Sequence, residues 1–249
     1  MATKKPTILI VCTGNICRSP AAALLLAHLL GPAAEHFDIH TAGTRAVEGS
    51  PMDTVMGRLL GLRGVETTPS ASCNLTVEMI ESADLVLTAS TGQRAAAVKL
   101  RPAAVRKTMT LKQLARYAPA ILDSHEPPPA AGDRISWILA GLPQARGRAI
   151  RTESDSVADP TGKSGRHYKV ALQELDRACG LIAPLLRAEF ARSEPDPIVW
   201  SHREKNPVPA YHVSAVGRVA RQGESILGLS SLASPELDTT RDVLPARQA

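Results

Sequence analysis

The first apolar positions of the chain form a short continuous run rather than an alternating pattern. Residues 7–12 read TILIVC, and a run of this length is typical of a strand buried on both faces of a parallel sheet. Further strand patterns follow at 37–42, at 84–89 and, more weakly, at 106–111. The pattern therefore predicts four strands in the first half of the chain.

Helical patterns separate the predicted strands. Ser19 followed by Pro20 is a well-formed helix start, because serine caps free amides and proline fits the first helical position. Further helices are predicted from Ser50, after Thr76 and over 91–100. Strands alternating with helices predict an α/β fold, a single doubly wound domain with a four-stranded parallel sheet flanked by helices.

The periodic pattern loosens after Tyr117. Three consecutive prolines at 127–129 predict a linker, and a helix is predicted over 134–149 with an interruption at Pro143. A polar loop follows, and the last long helix starts near His167 with its apolar residues on one face. These residues are Ala171, Leu172, Leu175, Cys179, Ile182 and Leu186.

The final part of the chain differs in composition from the rest. Residues 192–249 contain six prolines and show no sustained hydrophobic period. A segment that cannot bury enough apolar surface to offset its conformational entropy stays disordered. We therefore predict an ordered domain over 1–191 and a mostly disordered C-terminal tail over 192–249, with one short helix at 213–221.

Composition argues against several classes of function. The net charge of the 249 residues is +5, but no dense stripe of Lys and Arg with interleaved aromatics is present, which argues against nucleic-acid binding. No apolar run approaches the ~20 residues of a membrane span. The four cysteines are too few and scattered for a secreted disulfide scaffold, and no Cys/His spacing fits a metal. We therefore expect a cytoplasmic protein that binds no nucleic acid, membrane or metal.

The stretch VCTGNICRSP at 11–20 places reactive residues between the first strand and the first helix. Open α/β sheets bind ligands at such turns, where amides and the helix dipole form an anion site. Gly14 and Asn15 tolerate the left-handed backbone that curls amides inward, and the planar fork of Arg18 fits two oxygens of a phosphate-like dianion. Cys12 lies where this field favours a thiolate, which predicts a nucleophile for a bound phosphoryl group.

The same stretch resembles the phosphate loop of the low-molecular-weight protein tyrosine phosphatases. Their loop reads Cys-x-Gly-Asn-x-Cys-Arg-Ser after the first strand, and CTGNICRS at 12–19 matches every fixed position. TAGT at 41–44 resembles the family's small-residue strand end, and Asp159-Pro160 resembles its late Asp-Pro, whose aspartate is the general acid. The resemblance makes residues 1–191 a low-molecular-weight phosphatase-like domain.

The resemblance implies cysteine-dependent hydrolysis of phosphotyrosine in proteins, by a monomer that needs no cofactor. Cys12, Arg18 and Asp159 are the implied catalytic residues, acting as nucleophile, phosphate clamp and general acid. Asn15 is expected to fix the shape of the loop, and Ser19 to donate to the thiolate. The implied phosphate-binding residues are Thr13, Gly14, Asn15, Ile16, Cys17 and Ser19.

The surroundings of the predicted site depart from the family. Many relatives carry aromatic residues after the Asp-Pro, where this chain has TGK at 161–163, and segment 45–50 has no aromatic residue either. Trp137 and Tyr168 are the candidates to replace them. Ile16 resembles the tyrosine-specific branch, because the protein-arginine phosphatases of the family carry threonine there. Phosphotyrosine is therefore predicted, with phosphoarginine as an alternative.

Two other functions stay open on the sequence. Arsenate reductases share the fold and the loop, but they need downstream cysteines that relay a disulfide, and Cys73 and Cys179 lie in a loop and on a core helix. A phosphopeptide-binding module without turnover is the alternative from a different class. The presence of Cys12, Arg18 and Asp159 argues against it, and an assay with an aryl phosphate decides the question.

Cys17 raises a question of its own. It lies five residues after Cys12 in a loop curled around one anion, so the two sulfurs could come close enough to bond. Peroxide oxidises an accessible thiolate first, to a sulfenic acid, and a neighbouring thiol traps that acid as a disulfide. Cys17 is therefore predicted either to protect Cys12 in this way or to fill the back of the loop.

Overall fold

The computed structural model describes residues 4–67, 70–124, 126–149, 154–187, 211–213 and 219–221. Four strands form one parallel sheet in the order β2-β1-β3-β4. They are β1 (Thr7–Cys12), β2 (Asp38–Gly43), β3 (Leu85–Thr88) and β4 (Thr108–Thr110). The predicted four-stranded parallel sheet is thereby confirmed, and the weak fourth strand pattern shortens to three residues.

Helices connect the strands in chain order. They are α1 (Arg18–Leu30), α2 (Thr54–Gly61), α3 (Val77–Ser82), α4 (Thr91–Leu100), α5 (Leu111–Leu122), α6 (Ala131–Arg148) and α7 (Gly165–Leu186). Two 3-10 helices, Gly31–His36 and Pro102–Lys107, follow α1 and α4. The predicted bounds of α4 and the predicted cap of α3 are confirmed, since the Thr76 side chain accepts from the Met79 amide. Within the described ranges, no helix has the length and apolarity to cross a membrane.

The helices cover both faces of the sheet, as in a doubly wound fold. On one face, Ile8 and Ile10 of β1 belong to a large core shared with α1, α5, α6 and α7. On the other, Leu9 and Val11 belong to a smaller core with α3 and α4. Since successive strand side chains point to opposite faces, this burial explains why the TILIVC run is continuously apolar.

Two helices start at caps that the sequence pattern did not single out. α2 begins at Thr54 rather than near Ser50, because Asp53 Oδ1 accepts from the amides of Val55 and Met56 at 3.0 Å each. α5 occupies 111–122, where the periodic pattern loosens, and a capping box formed by the residues at 110 and 113 starts it. In both cases a local side-chain cap determines the start of the helix.

α6 continues through Pro143, so the predicted interruption is wrong. An interior proline costs a helix about 3 kcal/mol, since it removes one hydrogen bond and crowds the preceding turn. Ile138, Leu142 and Ala145 are buried on both sides of this position. Their burial in the core outweighs the local penalty.

The described part of the tail contains an antiparallel pair of short strands, so the short helix predicted at 213–221 is wrong. Its strands are β5 (Tyr211–Val213) and β6 (Val219–Arg221), and they lie beside α1 and β2. Valines at 213, 216 and 219 with a glycine at 217 favour strands and a turn over a helix. The rest of the predicted disordered tail lies outside the described residues, and the division at residue 191 stays a prediction.

Candidate active site

The stretch at 11–20 connects the end of β1 to the start of α1. Cys12 is the last residue of β1 and Arg18 is the first residue of α1, so residues 13–17 form the turn between them. Asn15 has a φ of 56°, in the left-handed region that asparagine tolerates better than most residues. Gly14 does not use this region, so within the turn the left-handed reversal is at Asn15.

The Cys12 thiol is buried with two polar neighbours from the same stretch. Its Sγ lies 3.0 Å from Ser19 Oγ, and the Asn15 amide donates to Sγ at 3.3 Å. Ser19 is itself fully buried at the start of α1. The sulfur is therefore held in a defined position at the carboxyl end of the sheet.

The Asn15 side chain ties the turn to a distant segment. Its Nδ2 donates to Ser19 Oγ at 3.0 Å, and its Oδ1 accepts from the Cys73 amide at 3.0 Å. The Cys73 thiol lies 3.4 Å from the Thr41 carbonyl oxygen, and burial followed by the nearby Glu48 raises the pKa of this thiol. The sequence did not predict that Cys73 would support the loop.

Arg18 is buried and contacts the loop that carries Asp159. Its Nη2 forms an ion pair with Asp159 Oδ2 and lies 3.5 Å from Thr13 Oγ1, while Nη1 donates to the Val157 carbonyl at 3.4 Å. Gln93 on α4 donates to Thr13 Oγ1 at 2.9 Å. The structure thus brings together Arg18 and Asp159, which are 141 positions apart in the chain.

Two residues that precede Asp159 are hydrogen-bonded to other elements of the fold, one to the segment after β3 and one to α7. The Val157 amide donates to the Ala89 carbonyl at 2.8 Å, just after β3. The Ala158 amide donates to Glu174 Oε2 on α7, also at 2.8 Å. These bonds fix the residues before Asp159, whose side chain is 46% exposed and therefore accessible from solvent.

Asp155, in the same loop, is engaged elsewhere. Its carboxylate is buried, accepts from Gln113 Nε2 at 3.1 Å and forms an ion pair with Arg116 on α5. Asp155 therefore anchors the loop to α5. Across the part of the chain that the structure describes, no group of three or more His, Cys, Asp or Glu could hold a metal ion.

Both aromatic candidates, Tyr168 and Trp137, make contacts of their own in the structure. The Tyr168 hydroxyl is directed to Asp53 Oδ2 at 2.8 Å, and burial together with Asp53 raises its pKa to about 12. Trp137 packs against the hydrophobic core from α6. Asp53 also donates its amide to the Ile16 carbonyl at 2.8 Å, so Asp53 and Tyr168 support the turn from the α2 side.

Gly43 allows β2 to pass close to the turn. A Cβ at this position would lie 2.5 Å from the Thr13 carbonyl oxygen and 3.0 Å from the Asn15 amide nitrogen. The backbone just beyond Gly43 hydrogen-bonds to the turn, since the Arg45 amide donates to the Thr13 carbonyl at 2.9 Å. The small residues TAGT indicated a special strand end, but they did not specify which residue needs the space.

We expect Gly43→Ala to displace the turn, because the methyl group would meet backbone atoms that cannot rotate away. Overpacking of this kind costs about 1–3 kcal/mol, and thermal denaturation should show the loss together with weaker phosphate binding. Gly57→Ala is the matched control, since its Cβ would meet nothing within 4 Å and lies inside α2. A stable Gly43→Ala with wild-type phosphate affinity would contradict this role.

Comparison with known proteins places these features in a family. The model of the family described as low molecular weight phosphotyrosine protein phosphatase matches residues 7–137. A protein-arginine-phosphatase from Geobacillus stearothermophilus is 41% identical over 106 residues, 43% of this chain and 69% of that protein. The low molecular weight protein-tyrosine-phosphatase Etp from Escherichia coli (strain K12) is 34% identical over 107 residues, 43% of this chain and 70% of that protein.

Solved structures agree with the sequence comparison. The YwlE arginine phosphatase from Geobacillus stearothermophilus has a TM-score of 0.53 at 28% identity, over 72% of this chain and 91% of that chain. The tyrosine phosphatase amsI from Erwinia amylovora has a TM-score of 0.54 at 22% identity, over 74% and 95%, which supports the fold alone. The chain therefore belongs to the low molecular weight phosphotyrosine protein phosphatase family.

Proposed function

We propose that this protein hydrolyses phosphotyrosine in proteins through a cysteinyl-phosphate intermediate. The observation that carries the proposal is that the side chains of Cys12, Arg18 and Asp159 lie at the carboxyl end of the same sheet. The Cys12 sulfur lies in the turn, and the buried Arg18 guanidinium contacts the Asp159 carboxylate from the opposite loop. A nucleophile, a phosphate clamp and an acid at one end of the sheet are the components that phosphoryl transfer without further groups requires.

In the first step, the Cys12 thiolate attacks phosphorus while the bond from phosphorus to the phenolic oxygen breaks. Arg18 and the amides of the turn hold the non-bridging oxygens as charge moves onto them. Asp159 gives its proton to the leaving oxygen, so that a neutral phenol departs rather than a phenolate. The ion pair between Arg18 and Asp159 supports this step, because a phosphoryl group bound by Arg18 would lie within reach of the Asp159 carboxyl group.

In the second step, a water molecule attacks the cysteinyl-phosphate. Asp159, now a carboxylate, accepts the proton of the water, and the bond between phosphorus and sulfur breaks to release inorganic phosphate. Ser19 Oγ, 3.0 Å from Cys12 Sγ, donates to the thiolate as it forms. The Asn15 amide at 3.3 Å does the same, which makes the sulfur a better leaving group.

Ile16 supports phosphotyrosine as the substrate. Its side chain is partly buried, packs against the main core and lies beside Gly14 in the turn. An apolar side chain at the rim favours contact with a phenyl ring, whereas a guanidinium group needs hydrogen-bond acceptors. Phosphoarginine is the second candidate, favoured by the 41% identity to the Geobacillus protein-arginine-phosphatase and by the lack of aromatic residues at 45–50 and 161–163.

One peptide sequence carrying phosphotyrosine, phosphoarginine or phosphoserine tests the proposal. We expect the phosphotyrosine peptide to have the highest kcat/KM and the phosphoserine peptide to be a poor substrate. Ile16→Thr should shift the ratio towards phosphoarginine. Faster hydrolysis of phosphoarginine by the wild type would select the second candidate, and no hydrolysis of any peptide or aryl phosphate would favour the binding module.

We expect Cys17 to protect the enzyme from irreversible oxidation. All four cysteines are free thiols, and burial, followed by Asp53 and Cys12, raises the pKa of the Cys17 thiol. Peroxide oxidises Cys12 to the sulfenic acid, which then condenses with the Cys17 thiol to a disulfide and releases water. After peroxide and then a dithiol reductant, wild type should recover most of its activity and Cys17→Ser little. If wild type and Cys17→Ser recover the same activity, Cys17 only fills the back of the loop.

A further inference from the structure

A basic groove lies at the edge of the sheet beside β4. Its volume is about 520 Å³, and its walls come from α4, the 3-10 helix before β4 and α6. Each of these elements contributes one arginine to the lining, and the three are Arg94, Arg106 and Arg146. Every other described residue of the lining is apolar, namely Val105, Leu139, Ala140, Leu142 and Pro143. The basic groove therefore combines positive charge with apolar surface.

The three guanidinium groups are available to an anion. Arg106 and Arg146 are exposed, and Arg94 is half-buried. Arg94 is held in place because its Nε donates to the Thr108 carbonyl at 2.9 Å. Among the residues that the structure describes, none of the three arginines has a carboxylate partner. Like charges in one groove repel one another, so a ligand that carries several negative charges is favoured.

The strand beside the basic groove is protected against pairing with another chain. β4 is an edge strand of the sheet, and edge strands can pair with a strand of a partner. Arg94 bonds to the Thr108 carbonyl, and the Thr110 amide donates to Gln113 Oε1 at 3.0 Å. These side chains use backbone groups of the short strand. A partner is therefore expected to bind through its own side chains rather than as an added strand.

The basic groove lies close to the turn that holds Cys12. Gln93, the neighbour of Arg94 in the first turn of α4, donates to Thr13 Oγ1 at 2.9 Å. β4 is two strands from β1 in the sheet, which is roughly 10 Å at about 4.8 Å per strand. An extended peptide advances about 3.3 Å per residue. A peptide with its phosphorylated residue in the turn would therefore place residues about three to five positions away at the basic groove.

We propose that the basic groove docks an acidic segment of the protein substrate, a few residues from the phosphorylated side chain. This inference rests on the proposed function, which makes the substrate a protein. Carboxylates of the segment meet the arginines, and an apolar side chain between them covers Val105 and Leu139. The described lining has no aromatic residue on which a base could stack, which argues against a nucleic acid as the occupant.

Two labelled, unphosphorylated peptides of equal length test the docking step on the full chain. One alternates glutamate and alanine around a single leucine, and the other has glutamine in place of every glutamate. We expect fluorescence anisotropy to show at least about tenfold tighter binding of the acidic peptide at low salt. The difference should shrink as added NaCl screens the charges.

Two phosphotyrosine peptides test the link between docking and turnover. They carry either glutamates or glutamines about four positions from the phosphotyrosine on both sides. We expect a higher kcat/KM for the acidic peptide, through a lower KM at an unchanged kcat, because the docked residues contact the enzyme equally before and during the reaction.

A double variant, Arg106→Gln with Arg146→Gln, tests the groove itself. It should bind the acidic labelled peptide about three- to tenfold more weakly, since exposed ion pairs are individually weak. Lys4→Gln with Lys5→Gln is the matched control, because both lysines are exposed and precede β1, at the opposite end of that strand from Cys12. Both double variants should keep the wild-type melting temperature and activity on an aryl phosphate.

The outcomes separate this inference from the proposed function. Equal binding of the two labelled peptides, unchanged affinity in the arginine variant or an equal loss in the lysine variant would overturn docking in the basic groove. Tighter binding of a single-stranded oligonucleotide or of phosphatidylserine vesicles would overturn it too. Hydrolysis of both phosphopeptides with the same kcat/KM would overturn docking alone. If the acidic peptide binds but neither phosphopeptide is hydrolysed, the proposed function is wrong, and substrate docking is wrong with it.

Discussion

Cys12→Ser is expected to lower aryl phosphatase activity by roughly 10⁴-fold or more while phosphate binding persists. A serine hydroxyl is hardly ionised near neutral pH, so the nucleophile of the first step is lost. The hydroxyl can keep the contacts with Ser19 and the Asn15 amide that hold the Cys12 sulfur. Turnover of an aryl phosphate and calorimetric titration with inorganic phosphate measure the two effects separately.

Two further variants test whether the loss of activity is specific to the proposed site. Arg18→Ala should lose both turnover and phosphate binding, because the buried guanidinium is the clamp in the proposed mechanism. Cys179→Ala is the matched cysteine control, since the Cys179 thiol is buried in α7 and faces the Ala22 carbonyl at 3.6 Å. It should retain activity. Substantial turnover by Cys12→Ser would rule out the covalent mechanism.

Asp159→Asn is expected to slow hydrolysis of phenyl phosphate by about 10²–10⁴-fold and that of an activated nitrophenyl phosphate far less. A phenol with a high pKa needs a proton as it leaves, whereas a nitrophenolate leaves without one. The measurement is the ratio of the rate with phenyl phosphate to the rate with nitrophenyl phosphate, in wild type and in the variant. A change in this ratio reports the loss of the acid, whereas weaker binding of the phosphoryl group would lower both rates.

Asp155→Asn is the matched control for the acid. Asp155 lies four positions earlier in the same loop, but its carboxylate is paired with Arg116 and Gln113 on α5. Its replacement should lower the melting temperature, because Arg116 loses a buried partner, without changing the dependence on the leaving group. If both substrates suffered equally in Asp159→Asn, another group would be the acid.

The sequence predicted the features that local chemistry determines. The strand from 7 to 12 follows from its apolar run, and the structure has it at these residues. The predicted cap at Ser19 is wrong by two positions, because α1 starts at Arg18 after Cys17 and the Ser19 hydroxyl contacts Cys12 and Asn15 instead. The expectation that Ser19 contacts the Cys12 sulfur agrees with the 3.0 Å between Ser19 Oγ and Cys12 Sγ.

Features that depend on distant packing could not be predicted. Cys73 supports Asn15 from 58 positions away, and Asp53 meets Tyr168 from 115 positions away. The need for Gly43 arises only when β2 lies against the turn. Two wrong predictions show the converse. Pro143, a local helix breaker, lies within α6 because of burial, and residues 211–213 pair with 219–221 as strands where a short pattern predicted a helix.

Asp159 is an internal competitor for the guanidinium of Arg18, because its carboxylate forms an ion pair with that group. An incoming anion must displace the Asp159 carboxylate from Arg18. The affinity of the anion is therefore set by the difference in free energy between its own ion pair with Arg18 and the Arg18–Asp159 pair. Chloride offers no more charge than that carboxylate, whereas a phosphoryl dianion brings twice the charge and more oxygens for the amides of the turn. In the proposed mechanism, the Arg18–Asp159 contact would therefore be exchanged for a bound anion, would favour dianions over the monoanions of the surrounding solution, and would re-form as product phosphate leaves.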